Sequence, residues 1–127
     1  ATPATRYLWA VGQLHASARA LGKFFAQHDV MLTPAAAEPA PVLGKLAGAD
    51  KSLDEFYDLF WGHSPFTAVF NASGCPAMSV PLGMTKSGLP AGAHLGAAFG
   101  KDELLYALAA ELERAAPWVD RRPPVFG

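Results

Sequence analysis

Cysteine is all but absent: Cys75 is the only one among 127 residues. A single cysteine excludes an internal disulfide and cannot build a zinc ribbon. It also makes a reducing, cytoplasmic setting the default expectation. Excess charge is missing too, since ten Lys and Arg against eleven Asp and Glu leave a net charge of −1. That balance excludes the basic stripe that nucleic acid requires and a polybasic membrane anchor. No apolar run approaches the ~18 residues of a membrane span. Residues 1–6 carry neither the charged start nor the apolar stretch of a signal peptide. The chain opens on Ala-Thr-Pro-Ala-Thr rather than on Met, which raises the expectation that it was cut from something longer.

Apolar residues are plentiful, at 51%, enough for the core of one domain at this length. Residues 1–127 are therefore read as a single segment. Tyr7, Val11, Leu14, Ala18, Leu21 and Phe25 alternate at spacings of four and three, which predicts a helix over 6–28 with one apolar face. Thr5 or Thr2 is expected to cap it, with Pro3 in the first turn. A short apolar run over 29–33, stopped by Pro34, predicts a buried strand. Residues 34–51 hold three prolines and two glycines and read as a long loop of the functional kind.

Ser52 with Glu55 three residues on forms a capping box, which predicts a short helix to Trp61. Residues 64–74 are ambiguous, with Pro65 able to open a helix and Gly74 then Pro76 able to close one. Residues 77–84 and 91–99 predict two strands joined by the turn residues of 85–90 as an antiparallel pair. Pro81 then has to sit where no ladder donor is needed. Leu104, Leu105, Leu108, Leu112 and Ala115 mark the apolar face of a last helix over 101–116, stopped by Pro117, and residues 118–127 form a tail.

The chemistry-bearing residues do not assemble into a complete catalytic set. Ser73 lies in Asn71-Ala72-Ser73-Gly74-Cys75, which lacks the first Gly of a nucleophile elbow. Cys75 needs a nearby His or positive end to become a thiolate, and its neighbours are Gly74 and Pro76. It reads as a small packing residue. His15, His28, His63 and His94 lack metal-ligand spacing. The first three read as ordinary helix-associated histidines, and His94 as a core or supporting one. Asp54, Glu55 and Asp58 read as a solvated helix face rather than an acid–base pair. The stretch 48–52 fails as a phosphate loop because Asp50 stands where Gly is needed.

Three segments in order carry a family likeness: "FFAQHDVMLTPAAAEPAP", "FTAVFNASGCPAMSVPLGMTKSGLPAGAHLGAAFG" and "ELLYALAAELERAAPW". The most specific features are Asp29-Val30-x-Leu32-x-Pro34, then Phe70-Asn71-x-x-Gly74-x-Pro76-Ala77-x-Ser79-x-Pro81-x-Gly83, then Gly88-Leu89-Pro90-x-Gly92. From about Tyr7 to Pro124 the chain resembles the C-terminal part of the amidase signature family. That resemblance implies an α/β fold with one strand of parallel type, an antiparallel pair and two longer amphipathic helices packed on the sheet. It implies hydrolysis of C–N amide bonds by a serine nucleophile, a second serine on a cis peptide bond and a lysine base, with no cofactor and no metal.

The glycine- and serine-rich signature that holds those groups belongs to the N-terminal half of the family and has no counterpart here. None of Lys23, Lys45, Lys51, Lys86 or Lys101 matches the base, and no serine matches the nucleophile. No catalytic residue is therefore assigned, and the chain alone is expected to be inactive. Its partners are expected to be the N-terminal catalytic part and a small amide substrate, with self-association of exposed apolar surface as a further expectation. The resemblance places Thr33, Pro34, Ala35, Ala36, Ser64 and Phe66 as substrate-pocket candidates. Asn71, Gly74, Cys75 and His94 are given supporting roles, Asn71 by tying a turn with its amide. The glutamyl-tRNA amidotransferase subunit is expected to carry an acid near Ser64, a job Ser64 cannot do, which points away from tRNA and toward an uncharged or apolar amide. His94, in place of the usual Gln, and the segment LAAELERAAPW lean toward the bacterial amidases that resemble 6-aminohexanoate cyclic-dimer hydrolase. A non-catalytic binding module derived from an amidase is the alternative reading, and a thiol enzyme built on Cys75 ranks last.

Overall fold

A computed structural model describes residues 2–123. The elements run α1 (Ala4–Phe25), β1 (Val30–Pro34), α2 (Leu53–His63), α3 (Ala68–Ser73), β2 (Ala77–Met84), β3 (Pro90–Ala97) and α4 (Asp102–Ala115). The element types follow the periodicities of the sequence, and residues 35–52 form the expected long connection. The C-terminal tail is described only to residue 123, and residues 124–127 lie outside the described residues.

The three strands form one sheet in the order β1-β3-β2, and both neighbouring pairs are antiparallel. The parallel-type strand expected at 29–33 is thereby corrected: β1 pairs antiparallel with β3, Val30 opposite Ala97 and Thr33 opposite His94. A strand's direction is not written in its own hydrophobicity; it depends on where the chain enters the sheet. The end of α1 is docked by Phe25 on Phe70, ring centroids 6.5 Å apart. Phe70 in turn covers Gly96, near the end of β3. The chain therefore meets β3 at its last residues and has to run back along it.

The β2–β3 turn forms as the Gly, Ser and Pro of 85–90 require. The Thr85 N–H donates to the Leu89 carbonyl at 2.8 Å, and Gly88 takes a φ of 81°, where a side chain would be strained. Pro81 lies on an outer strand at a register shift between Val80 and Gly83, so its missing N–H interrupts no regular ladder.

One face of the sheet is covered by α4. Val80, Leu95, Ala97 and Leu105 are buried there, with Val30, Met78, Leu82 and Leu112 packed around them. Full burial of a leucine such as Leu105 contributes roughly 1.5–3 kcal/mol. The opposite face carries His94 and Gly96, with the buried ring of Phe70 standing edge-on to the imidazole at 5.0 Å.

The expectation that both long helices lie on the sheet holds for α4 alone. α1 packs chiefly on α3. Of its apolar stripe only Leu21 is buried, while Tyr7 and Leu14 are exposed, as are Leu8 and Trp9 beside it. Neither Thr2 nor Thr5 caps α1: Pro3 is the N-cap, and its carbonyl accepts from the N–H groups of Arg6 and Tyr7 at 3.0 and 3.2 Å. The capping box of α2 forms in full, with Ser52 Oγ accepting from the Glu55 N–H and the Glu55 carboxylate accepting from the Ser52 N–H. No helix among the described residues is long and apolar enough to cross a membrane.

Candidate functional site

The loop after β1 is held at two points. The Ala35 N–H donates to the Gly92 carbonyl at 3.0 Å, carrying the pairing with β3 one residue past the strand. The Ala37 N–H donates to the His63 carbonyl at 2.9 Å, tying the loop to the end of α2. Between these anchors and the β2–β3 turn lies a cavity of about 420 Å³. Residues 34–40 form one wall, and His63, Thr85 and residues 90–92 the other. A second, shallower cavity of about 480 Å³ is lined by Leu32, Thr33, Pro34 and the neighbouring parts of β2 and β3. Volumes of this order fit small organic molecules.

Gly92 borders both cavities. A Cβ there would stand 2.8 Å from Ser79 Oγ and 3.0 Å from the Ala35 Cβ. Only glycine lets the start of the loop pass this close to β3.

The polar groups at the first cavity are paired. Lys45 Nζ donates to both carboxylate oxygens of Glu38, at 2.9 and 2.6 Å. His63 Nδ1 lies 3.3 Å from Glu38 Oε1. The Lys45 hydrogen bonds, with that of His63, hold the Glu38 carboxyl below the usual carboxylate range. His94 is buried at 5% exposure with Nδ1 3.1 Å from Thr33 Oγ1. The Thr33 hydroxyl also donates to the Pro34 carbonyl at 3.1 Å, so Nδ1 of His94 supplies the proton of their shared bond. Burial pushes the His94 imidazole below its ordinary value, because the charged ring loses its water.

Of the six residues singled out as pocket candidates, Thr33, Pro34, Ala35 and Ala36 border these cavities. Ser64 and Phe66 are absent from both linings. Ser64 instead follows the end of α2, its N–H donating to the Phe60 carbonyl at 2.8 Å and its hydroxyl 3.3 Å from that of Thr67. Asn71 is exposed on α3 and makes no side-chain hydrogen bond among the described residues. The turn that its amide was expected to tie is held by Ser73. The Ser73 hydroxyl donates to the Phe70 carbonyl at 3.3 Å and accepts from the Cys75 N–H at 3.2 Å. Gly74 closes α3 at a φ of 72°.

Cys75 is half-buried and borders a separate hollow of about 400 Å³ against Ala18, Gly22, Phe25 and Phe99. No histidine, lysine or arginine lines that hollow. Among the described residues no group of three His, Cys, Asp or Glu side chains could hold a metal ion. The sequence alone assigns no pocket role to Glu38, Lys45, His63 or Gly92. The Glu38–Lys45 separation inside a proline-rich loop has no periodicity to mark it, and His63 looks like any residue at a helix end.

A family model described as Amidase matches residues 1–106. The AmiC protein of Mycobacterium tuberculosis is 41% identical over 102 residues, covering 80% of this chain and 21% of that protein. The 6-aminohexanoate-cyclic-dimer hydrolase of Paenarthrobacter ureafaciens is 40% identical over 103 residues, covering 77% of this chain and 21% of the hydrolase. A solved structure of 6-aminohexanoate cyclic dimer hydrolase superposes with a TM-score of 0.80 at 32% identity, over 91% of this chain and 25% of that one. The solved glutamyl-tRNA(Gln) amidotransferase chain of Thermotoga maritima gives a TM-score of 0.68 at 25% identity, over 88% of this chain and 23% of that one. The chain thus spans about a fifth of the length of the curated relatives it matches. Sequence motifs, fold and relatives converge, and the chain belongs to the amidase family.

Proposed function

We propose that this chain forms the C-terminal part of an amidase that hydrolyses C–N amide bonds. In this reading the serine nucleophile, the cis-peptide serine and the lysine base come from sequence outside these 127 residues. The observation that supports it most is the likeness to 6-aminohexanoate cyclic dimer hydrolase, which accounts for 91% of this chain but 25% of the hydrolase. That hydrolase has also been solved in complex with its substrate.

The chain's contribution is then a wall of the substrate site. Small and apolar side chains dominate the 420 Å³ cavity, and its one carboxylate, Glu38, is neutralised by Lys45. An uncharged amide with hydrocarbon flanks suits such a wall, with Pro34, Ala35 and Ala36 against it and Thr33 at the neighbouring cavity. The chemical step needs a lysine whose pKa is lowered by burial and backbone N–H groups aimed at the developing oxyanion. The exposed Tyr7, Trp9, Phe99 and Tyr106 offer apolar surface to the rest of the enzyme or, without it, to a second copy.

The test is hydrolysis of a panel of small neutral amides. It is run with the chain alone and with protein that joins it to the coding sequence upstream of Ala1. Turnover by the longer protein and none by the chain alone is expected. Enzyme-like turnover by the chain alone, lost on Ser73→Ala or Cys75→Ala, would overturn the reading. A start codon directly before Ala1, with no turnover, favours the non-catalytic module.

A further inference from the structure

The side chains around the 420 Å³ cavity leave one polar atom uncommitted. Thr85 Oγ1 accepts from the Leu89 N–H at 2.9 Å and shares a bond with Ser87 Oγ at 2.9 Å. Both Glu38 oxygens accept from Lys45. That leaves His63, which lines the cavity and is engaged only through Nδ1 among the described residues.

The state of its second nitrogen follows from the first. Lys45 keeps the Glu38 carboxyl ionised, and an ionised carboxylate can only accept. The nitrogen facing it, Nδ1, therefore carries the proton. In the neutral ring, Nε2 is then a bare acceptor. A carboxylate that accepts from Nδ1 in this way selects the tautomer in which Nε2 is the acceptor. The Ala37-to-His63 backbone bond holds the same two segments together, so the pair does not depend on one long side chain.

The ligand class follows from charge and shape. Glu38 and Lys45 cancel, so the cavity offers no unpaired charge to an ammonium or a carboxylate, and desolvating either would be unfavourable. The alanine and proline wall takes hydrocarbon. The uncommitted acceptor takes an N–H. We propose that His63, held in its Nδ1–H tautomer by Glu38, is the specificity-determining acceptor of this cavity and binds the N–H of a neutral aliphatic amide. The proposal rests on the amidase reading only for the ligand's class.

The test uses three probes, hexanamide, N-methylhexanamide and N,N-dimethylhexanamide, which carry two, one and no N–H. Protein with ¹⁵N-labelled histidine, joined to its upstream coding sequence, is titrated with each and followed by NMR at about pH 8, above the ordinary imidazole range. The His63 ring is expected to show a protonated Nδ1 and a bare Nε2 whose resonance moves when hexanamide is added. The two N–H amides are expected to bind about fivefold more tightly than the dimethyl amide, the scale of one net hydrogen bond.

Glu38→Gln replaces the obligate acceptor with a group that can also donate. It is expected to mix the tautomers and erase the preference. His63→Phe is expected to bind all three amides alike. Unchanged His94 ring resonances report an intact fold in each variant, and Glu38→Gln serves if His63→Phe does not fold. A protonated Nε2 in the parent protein, equal binding of the three amides, or a preference that survives His63→Phe or Glu38→Gln would overturn the proposal. Absence of binding by all three overturns it as well. Hydrolysis of the same amides, measured in parallel, reports on the amidase reading independently.

Discussion

Nδ1 of His94 lies 3.1 Å from the hydroxyl of Thr33, its partner across the β1–β3 pair. Burial holds this imidazole below its ordinary value in the folded chain, whereas the unfolded chain titrates it near ~6.5. Above both values the ring is neutral in either state and contributes no slope. As pH falls below about 6.5 the unfolded state takes up the proton first, so stability drops until the lowered folded value is passed. Denaturant unfolding at a series of pH values is expected to show a decline from about pH 7 to 5 that is shallower in His94→Gln. A parent protein and variant with the same slope would contradict this account.

Gly96 carries the ring of Phe70 where a side chain of its own would stand. Gly96→Ala is expected to lower stability by about 1–3 kcal/mol or more, as overpacking does. Phe70→Ala, which empties a buried site, is expected to cost about 3–5 kcal/mol. The double variant is expected to be more stable than the sum of the two losses predicts, because the methyl then enters the vacated space. Equilibrium unfolding of the four proteins measures the coupling, and strict additivity would show that the two residues do not compete for one volume.

Gly92→Ala brings its methyl 2.8 Å from Ser79 Oγ and 3.0 Å from the Ala35 Cβ. The serine hydroxyl can turn away, but the alanine methyl can move only with its backbone. A loss of about 1–3 kcal/mol is expected, together with a displaced loop after β1. Adding Ala35→Gly is expected to recover more of the loss than adding Ser79→Ala. The reverse order would show that the strand, not the loop, takes up the strain.

Ser52→Ala removes the hydroxyl that accepts from the Glu55 N–H. The expected cost is about 1 kcal/mol of α2 stability. Phe56 of α2 lies against Gly48 of the adjoining loop, and none of its residues is fully buried, so the change should read locally. Amide exchange over residues 53–63 is expected to quicken about fivefold, with β3 unaffected. Ser52→Asp, another capping residue, is expected to retain most of the protection. The Ser52 hydroxyl and N–H in turn donate to the Glu55 carboxylate and hold it below its usual range, so the cap weakens as pH falls through that lowered range.

Much of this molecule was legible in local signals. The capping box at Ser52 and Glu55, the turn at 85–90, the αL glycine at Gly74 and the leucines of α4 each depend on residues a few positions apart. The motif set from Asp29 to Gly92 identified the family for the same reason, since it is a pattern of turns and strand residues at fixed spacing. The apolar stripe of α1 misled because periodicity marks a face that can be buried, not the surface that buries it. Tyr7 and Leu14 of that stripe remain 66% and 48% exposed in this chain.

Residues 1–127 determine, without reference to their folding, that this is an amidase-family chain with mixed α/β elements and without excess charge or disulfides. They also fix where most helices and strands begin and end, because those limits are set by proline, glycine and capping side chains acting over a turn or two. Folding alone settled the direction of β1, since that depends on Phe25 meeting Phe70 beside Gly96, three residues far apart in sequence. It alone brought Glu38, Lys45 and His63 to one cavity wall and buried His94 against Thr33. Contacts of that range carry no local signal, because the chain pays the entropy of closing each loop only when the whole sheet and its helices assemble.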